Sequence, residues 1–293
     1  MSTSEQILTG FGLVFSAFSY LLVPFQYPFM FNALLIVSIV SLPTSILSCY
    51  LVLKGWSLIG DAISHAVLPG IVVAYLLQIP LILGAFFSGM FCALATGFIA
   101  ENSRIKQDTV MGVVFSGMFG FGIVLYTKIT TNIHLDHILF GNMLGVNFSD
   151  IWTSSIIGVS VFMFIFLKKR DFLLHSFDPI QGQAIGLSSR FLHYSMLCSV
   201  TLTIIATLSV VGIILSIGLL ILPGAIAFLL SKNFEKMILI AIFVTLVSSI
   251  TGVLLSFYID SAPAPTIILI LTAIFILSFM SNINKNKQKE ITS

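Results

Sequence analysis

The sequence has 293 residues, of which 58% are hydrophobic and 8% are charged, and its formal net charge is +2 at pH 7. Soluble domains carry roughly 25% charged residues, so this composition excludes a water-soluble globular protein. Apolar runs of about 18 to 25 residues recur along the chain, and they lack the alternation of membrane β-strands. We therefore predict an all-α integral membrane protein, a polytopic bundle of about eight to ten transmembrane helices that forms one domain over residues 1–293.

The first 27 residues have no basic region before their apolar part and no small-residue cleavage site after it. We therefore interpret residues 1–27 as a retained segment and not as a signal peptide. The prolines Pro24 and Pro28 would end a helix, and the aromatic residues around Tyr27 are typical of the membrane interface. This segment is predicted to be an interfacial helix or an additional span.

The remaining apolar runs predict the membrane spans. A basic tail at residues 282–293 is placed in the cytoplasm by the positive-inside rule, and the segments 101–108 and 168–190 then also fall on the cytoplasmic side. Glycines and Pro223 interrupt residues 191–230, so that stretch is expected to form two short spans or a broken re-entrant segment. The predicted spans are 30–53, 57–77, 80–99, 109–127, 149–168, 192–210, 211–230, 237–258 and 263–281.

Two polar residues, Asp61 and His65, lie within the apolar stretch "GWSLIGDAISHAVLPG". A charged side chain at the centre of a membrane helix costs about 2.5–3.5 kcal/mol, so such a residue is a candidate for function. A spacing of four residues places both side chains on one helix face. A carboxylate and an imidazole in this arrangement can bind one Mn, Fe or Zn ion, with ligands from other helices. The spacing alone fits equally well with a pair that only fixes helix packing.

Other kinds of site find little support. An intramembrane aspartyl protease needs a second acid inside a span, but Asp108 and Asp260 lie at span edges. The sequence contains no H-E-x-x-H motif and no phosphate-binding loop, so any ATP that drives this protein is hydrolysed by another polypeptide. The three cysteines lie within apolar runs without C-x-x-C spacing, and we interpret them as packing residues.

Small residues recur at intervals of four in two neighbouring spans. Such stripes allow helix backbones to approach closely in lipid, and they predict a tightly packed bundle. The stripes are Gly84, Ser88, Cys92 and Thr96 in one span, and Gly112, Ser116 and Gly120 in the next.

The segment around the polar pair, "SCYLVLKGWSLIGDAISHAVLPGIVVAYLL", resembles the signature of the membrane permeases of bacterial ABC importers for manganese, iron and zinc. Three later segments agree with that family in order, and the resemblance covers residues 20–280. Its nearest branch is the chelated-iron and manganese permeases of Gram-negative bacteria. The later segments are "DHILFGNMLGV" (136–146), "FDPIQGQAIGLSSR" (177–190) and "VGIILSIGLLILPGAIAFLL" (211–230).

The resemblance implies a transporter subunit of the bacterial inner membrane, and not an enzyme. Its substrate would be iron, manganese or zinc, and no tightly bound cofactor is expected. Asp61 and His65 match the family's paired polar residues in the metal path. The implied partners are a cytoplasmic ABC ATPase, a periplasmic or surface metal-binding protein, a second permease subunit (identical or related) and membrane lipid, but no nucleic acid.

The cytoplasmic segment 168–190 resembles the loop through which ABC permeases couple to their ATPase. On this resemblance the coupling residues are Asp178, Pro179, Gly186 and Leu187. Two histidines that flank the segment's later part, His175 and His193, are expected at an interface or at the surface. Disruption of this segment is therefore expected to release the ATPase.

The outer loop before residue 143 carries "HLDH", in which His134 and His137 flank an aspartate. These histidines are candidates for a first metal-capture point, with a solvated loop as the alternative. Two other functions also stay open. One is a proton-coupled secondary metal transporter, in which Asp61 and His65 exchange protons for metal. The other is an ABC permease for a metal chelate.

Overall fold

The structure is a computed structural model that describes residues 23–56, 58–128 and 143–292. Two short 3₁₀ helices, Val23–Gln26 and Met143–Gly145, precede the first and fifth α-helices. The described part of the chain otherwise consists of α-helices and connecting turns. The helices are α1 (Pro28–Lys54), α2 (Ile59–Leu76), α3 (Leu81–Glu101), α4 (Gln107–Lys128), α5 (Phe148–Leu167), α6 (Lys169–Phe177), α7 (Pro179–Ala184), α8 (Ser189–Leu230), α9 (Phe234–Ile259) and α10 (Pro263–Thr292).

Eight of the described helices are long and apolar enough to cross a membrane. One of them, α8, has 42 residues and would extend about 63 Å if straight, twice the thickness of a hydrocarbon core. It is divided at Gly212, whose φ of 82° and ψ of 174° are not helical. The all-helical bundle predicted from the sequence is confirmed.

Contacts at the two ends of α8 show that the chain reverses direction at Gly212. Near its start, the His193 ring lies 5.3 Å from the Trp56 ring. Near its end, Leu220 packs beside Gly60, where an added Cβ would lie 3.3 Å from the leucine Cδ1. Because Trp56 lies just before α2 and Gly60 lies in the first turn of α2, both halves of α8 cross the bundle. The described helices therefore make nine crossings, and residues 191–230 form two spans.

The predicted cytoplasmic segment 168–190 is largely helical, because its residues have partners in the bundle. Phe172 of α6 is buried, and its ring lies 6.0 Å from that of Tyr50. The Tyr50 hydroxyl donates to the Lys169 carbonyl at 2.8 Å. These contacts attach α6 to the cytoplasmic end of α1. At the C-terminus, the backbone of α10 stays helical through the basic tail to Thr292.

The core forms around α1 and α8, which are the most buried helices together with α2. Hydroxyl groups join these helices to their neighbours. The Ser48 hydroxyl donates to the Ile221 carbonyl at 3.1 Å and accepts from the Gly224 amide at 2.7 Å. The Ser45 hydroxyl donates to Thr245 of α9 at 2.8 Å. Because lipid offers no water as an alternative partner, such bonds help to fix helix pairing.

The small-residue stripe of α3 packs as predicted, whereas that of α4 does not. Gly84 lies directly against Gly70 of α2, and the Ser88 hydroxyl donates to the Ala66 carbonyl at 2.6 Å. In α4, a Cβ added at Gly112 or Gly120 would meet no described atom within 4 Å. The close contact of α4 with α2 is made by other residues, with Gly122 against Pro69.

Candidate metal path and coupling segment

The paired polar residues lie next to each other on α2. Asp61 is in the first turn of the helix, and His65 follows one turn later. The distance from His65 Nε2 to Asp61 Oδ1 is 3.3 Å, and the two side chains are 27% and 36% exposed. The predicted common face is therefore confirmed. Neither side chain is enclosed by the described part of its own chain, so both remain accessible to an ion.

Aromatic residues of α4 orient the imidazole. The His65 ring lies 5.1 Å from the Phe119 ring, edge to face, and 6.0 Å from the Phe115 ring. Its Nδ1 atom is buried and has no hydrogen-bond partner among the described residues. Packing therefore holds the ring so that Nε2 faces the Asp61 carboxylate, which is the arrangement in which both groups can contact one cation.

One chain supplies two ligands at this place and not a complete coordination shell. Within the described ranges, no three His, Cys, Asp or Glu side chains are close enough to hold a metal ion. Transition metals are usually bound by four or more ligands, so a bound ion would need further ligands from water or from a second subunit. The partial exposure of Asp61 and His65 leaves room for such ligands.

A cavity of about 430 Å³ lies nearer the outer end of the bundle, between α2, α3, α5 and α8. Its lining is mostly apolar but includes Asn147, Asp150 and Ser209. Ile71, which also lines it, is ten residues beyond Asp61 on α2, or about 15 Å towards the outside. The sequence analysis did not identify this cavity, and it did not single out Asp150 at the start of α5. The outer-loop candidates His134 and His137 lie outside the described residues and stay a prediction.

The predicted coupling residues form the two ends of the short helix α7. The Asp178 carboxylate accepts from the amides of Ile180 at 3.0 Å and Gln181 at 2.9 Å, and Pro179 occupies the first helical position. An acidic cap followed by proline is a strong helix-start signal. The segment therefore begins a helix at a fixed residue.

The other end of α7 is closed by Gly186 and Leu187. Gly186 has a φ of +87°, and its amide donates to the Gln183 carbonyl at 3.0 Å. The Leu187 amide donates to the Gly182 carbonyl at 3.0 Å, and its side chain packs against the main core. This is the Schellman arrangement, in which a left-handed glycine ends the helix and an apolar residue anchors it.

The exposed apolar residues of this segment were not identified from the sequence. Phe177, Ile180 and Ile185 are 66%, 80% and 65% exposed. These three side chains form an exposed apolar surface on the predicted cytoplasmic segment, and such surfaces are typical of interaction sites. The signal was present in the sequence as isolated apolar residues between the two capping motifs.

One of the two histidines that flank this segment is not at the surface. His175 of α6 is buried, and its Nδ1 lies 3.2 Å from the Ser189 hydroxyl. His193 is half-buried and contacts both Trp56 and His175. An interface or surface position was predicted for His175, but the side chain is buried within its own chain, because α6 folds back onto the bundle.

Comparison with known proteins places the whole chain in one group. The sequence model described as the ABC 3 transport family matches residues 26–282. The "Chelated iron transport system membrane protein YfeD" of Yersinia pestis is 51% identical over 265 residues, which are 90% of this chain and 89% of that protein. The "Manganese transport system membrane protein MntB" of Synechocystis is 42% identical over 268 residues, which are 92% of this chain and 88% of that protein.

Solved structures show the same fold. The structure "PsaBC from Streptococcus pneumoniae in complex with Fab" has a TM-score of 0.80 and 31% identity, covering 89% of this chain and 95% of that one. An inward-facing metal-chelate type ABC transporter has a TM-score of 0.64 and 14% identity, covering 87% and 85% of the two chains. This second likeness concerns the fold alone.

Proposed function

Because the chain belongs to the ABC 3 transport family, we propose that it carries divalent iron or manganese across the inner membrane in an ATP-driven importer. The observation that supports this proposal most directly is the Asp61–His65 pair, with its 3.3 Å separation and partial exposure. A carboxylate and an imidazole suit Fe(II) and Mn(II). The names of two similar proteins, an iron and a manganese transport subunit, point to the same ions.

In the proposed path, the ion enters through the outer cavity and is then bound by the polar pair Asp61 and His65. An external binding protein delivers the metal, and the ion passes along α2 towards Asp61 and His65. A second permease subunit, identical or related, contributes the ligands that one chain lacks. Zinc fits the same donor atoms, but neither of these two relatives is named as a zinc transporter.

Energy enters at the cytoplasmic face through α7. A separate ATPase binds the apolar surface of Phe177, Ile180 and Ile185, while the caps at Asp178 and Gly186 hold that surface in place. Closure of the ATPase pair on ATP then shifts the attached helices α6 and α8. Because α6 is fixed to α1 through Tyr50, movement at the ATPase reaches the helices that line the path.

The test is uptake of radioactive Mn(II) and Fe(II) by cells that carry the complete transporter with Asp61→Asn, His65→Gln or both. Asp61→Asn keeps the shape of the side chain but removes the carboxylate charge, and His65→Gln replaces the imidazole ligand with a neutral polar side chain of similar length. We expect uptake to be lost while the permease still co-purifies with its ATPase. Asp260→Asn is the matched control, since Asp260 is exposed at the end of α9 and asparagine tolerates its left-handed backbone. Normal uptake by the double variant would refute the site.

A further inference from the structure

A second polar cavity lies at the cytoplasmic end of the bundle, separate from the metal pair. It has a volume of about 390 Å³ and is bounded by the end of α1, by α6 and α7, and by the first turns of α8. Lys54, Arg190, His175 and His193 all line it, and no described residue of its lining is acidic. Four side chains that carry or can carry positive charge therefore surround one space.

The lysine and the arginine of this cavity, Lys54 and Arg190, form no ion pair with the acids that the structure describes. The described ion pairs of the cytoplasmic face join Lys168 to Asp171 and Lys169 to Glu235. The Lys54 ammonium lies 4.5 Å from the centre of the Trp56 ring, a contact that positions it without removing its charge.

A buried ring nitrogen without a partner adds a second and independent indication. His175 is 6% exposed, and its Nε2 has no hydrogen-bond partner among the described residues. Its Nδ1 contacts the Ser189 hydroxyl at 3.2 Å, and when that hydroxyl donates, the ring proton resides on Nε2. A buried N–H group without an acceptor is unfavourable, and an anion in the cavity would satisfy it.

Two further features favour negative charge in the same space. Ser189 and Arg190 open the helix α8, and the amino end of a helix attracts anions. Burial lowers the pKa of His175 to about 4, and the positive charges of the neighbouring Lys54 and His193 add to this shift. A bound anion would oppose this shift.

We propose that this cavity binds a phosphate-type oxyanion, with Lys54, Arg190 and His175 Nε2 as its donors. The chemistry is shared by free phosphate and by the headgroup of an anionic lipid at the cytoplasmic interface. Pro179 and Gln183 of α7 line the same cavity, so a bound oxyanion would connect α7 to α1 and α8.

The test uses the fluorescence of Trp56, which lies against Lys54 and His193. The chain has two tryptophans, so Trp152→Phe leaves Trp56 as its single tryptophan reporter. The full-length Trp152→Phe permease is titrated with inorganic phosphate in neutral detergent at constant ionic strength. In parallel, it is placed in nanodiscs of phosphatidylcholine with increasing phosphatidylglycerol. We expect the Trp56 fluorescence to change and to reach saturation in one or both titrations.

Lys54→Gln with Arg190→Gln should lower the affinity, so that the half-maximal change in fluorescence needs at least about tenfold more ligand. The reason is that two charge-assisted hydrogen bonds are lost. The matched control is Lys232→Gln with Lys236→Gln, which removes the same charge from exposed positions. Lys54→Arg with Arg190→Lys keeps a positive charge at both positions, so this variant should retain binding. A response to phosphate identifies a soluble ligand, and a response to phosphatidylglycerol alone identifies a lipid headgroup. The proposal is overturned if neither titration saturates, or if the glutamine pair responds like the control pair.

Discussion

At the residue scale, the closest approach of two helices depends on a pair of glycines. Gly70 of α2 and Gly84 of α3 face each other, and a Cβ on either one would overlap the backbone carbonyl of the other. Backbone atoms cannot rotate away as a flexible side chain can. The crossing matters for the proposed metal path because α2 also carries His65, five residues from Gly70, and Asp61, nine residues from it.

We expect Gly84→Ala to destabilise the permease by about 1–3 kcal/mol, since the added methyl would lie 2.5 Å from the Ala74 Cβ. The matched control is Gly117→Ala in the middle of α4, where an added Cβ meets nothing within 4 Å. That change should be neutral or stabilising by up to about 1 kcal/mol, because alanine favours helix. Thermal unfolding of the two variants in the same detergent provides the comparison. Equal unfolding temperatures would argue against a tight crossing at Gly84.

The sequence predicted the geometry of the Asp61–His65 pair better than the surroundings of that pair. Helical spacing alone was enough to place Asp61 and His65 on one face, because both lie within a single regular helix. It could not predict that Phe115 and Phe119 hold the imidazole, since that contact joins two helices about fifty residues apart. It also could not predict the burial of His175, which depends on where α6 folds.

At the element scale, α7 shows how local sequence can determine a short helix. Six residues give too few hydrogen bonds for a helix to be stable alone. Here the Asp178 cap, Pro179 and the Gly186–Leu187 ending satisfy the orphan groups at both ends. The sequence indicated this segment by its resemblance to the family's coupling region, but its exposed apolar surface became visible only once the helix was placed.

Gly186→Ala should weaken binding of the ATPase without loss of the transmembrane fold. A left-handed backbone costs a non-glycine residue about 1–2 kcal/mol, so the C-terminal end of α7 would open. Asparagine tolerates this conformation better, so Gly186→Asn should show a smaller effect. Co-purification of the ATPase with each variant measures the difference. Unchanged co-purification with Gly186→Ala would contradict the proposed coupling role.

The sequence of α8 alone does not predict how many times this helix crosses the membrane. Its apolar run is continuous over two membrane thicknesses, and its glycines and Pro223 were compatible with a broken span or with two spans. Long-range contacts decide between these two arrangements, since His193 meets Trp56 just before α2 and Leu220 meets Gly60 in the first turn of α2. Such pairings involve residues far apart in sequence, and hydrophobic periodicity carries no information about them.

At the scale of the whole molecule, the distribution of exposed residues is uneven. The helices α4 and α10 are the least buried of the described spans, whereas α1, α2 and α8 are mostly buried. Composition predicted the number of spans to within one, because length and apolarity are properties of each segment. It did not predict which helices form the centre, since nearly all of them are apolar on every side and lack a distinct polar face.

The source of energy is also a property of the whole assembly. The sequence has no phosphate-binding loop, while α7 offers an exposed apolar surface on the cytoplasmic side. We therefore expect permease reconstituted alone in liposomes to accumulate no Mn(II) or Fe(II) under a proton gradient. Accumulation should begin only when the ATPase, the external binding protein and ATP are supplied.

The complex with Asp61→Asn and His65→Gln separates ATP hydrolysis from the passage of metal. It should still assemble and hydrolyse ATP, because α7 is unaltered, but it should accumulate no metal because the ion finds no ligands within the path. Proton-driven accumulation by the permease alone would instead support a secondary transporter, in which Asp61 and His65 exchange protons for metal. The comparison is decisive because an ATP-driven permease and a proton exchanger both need the polar pair, but only the former needs the surface of α7.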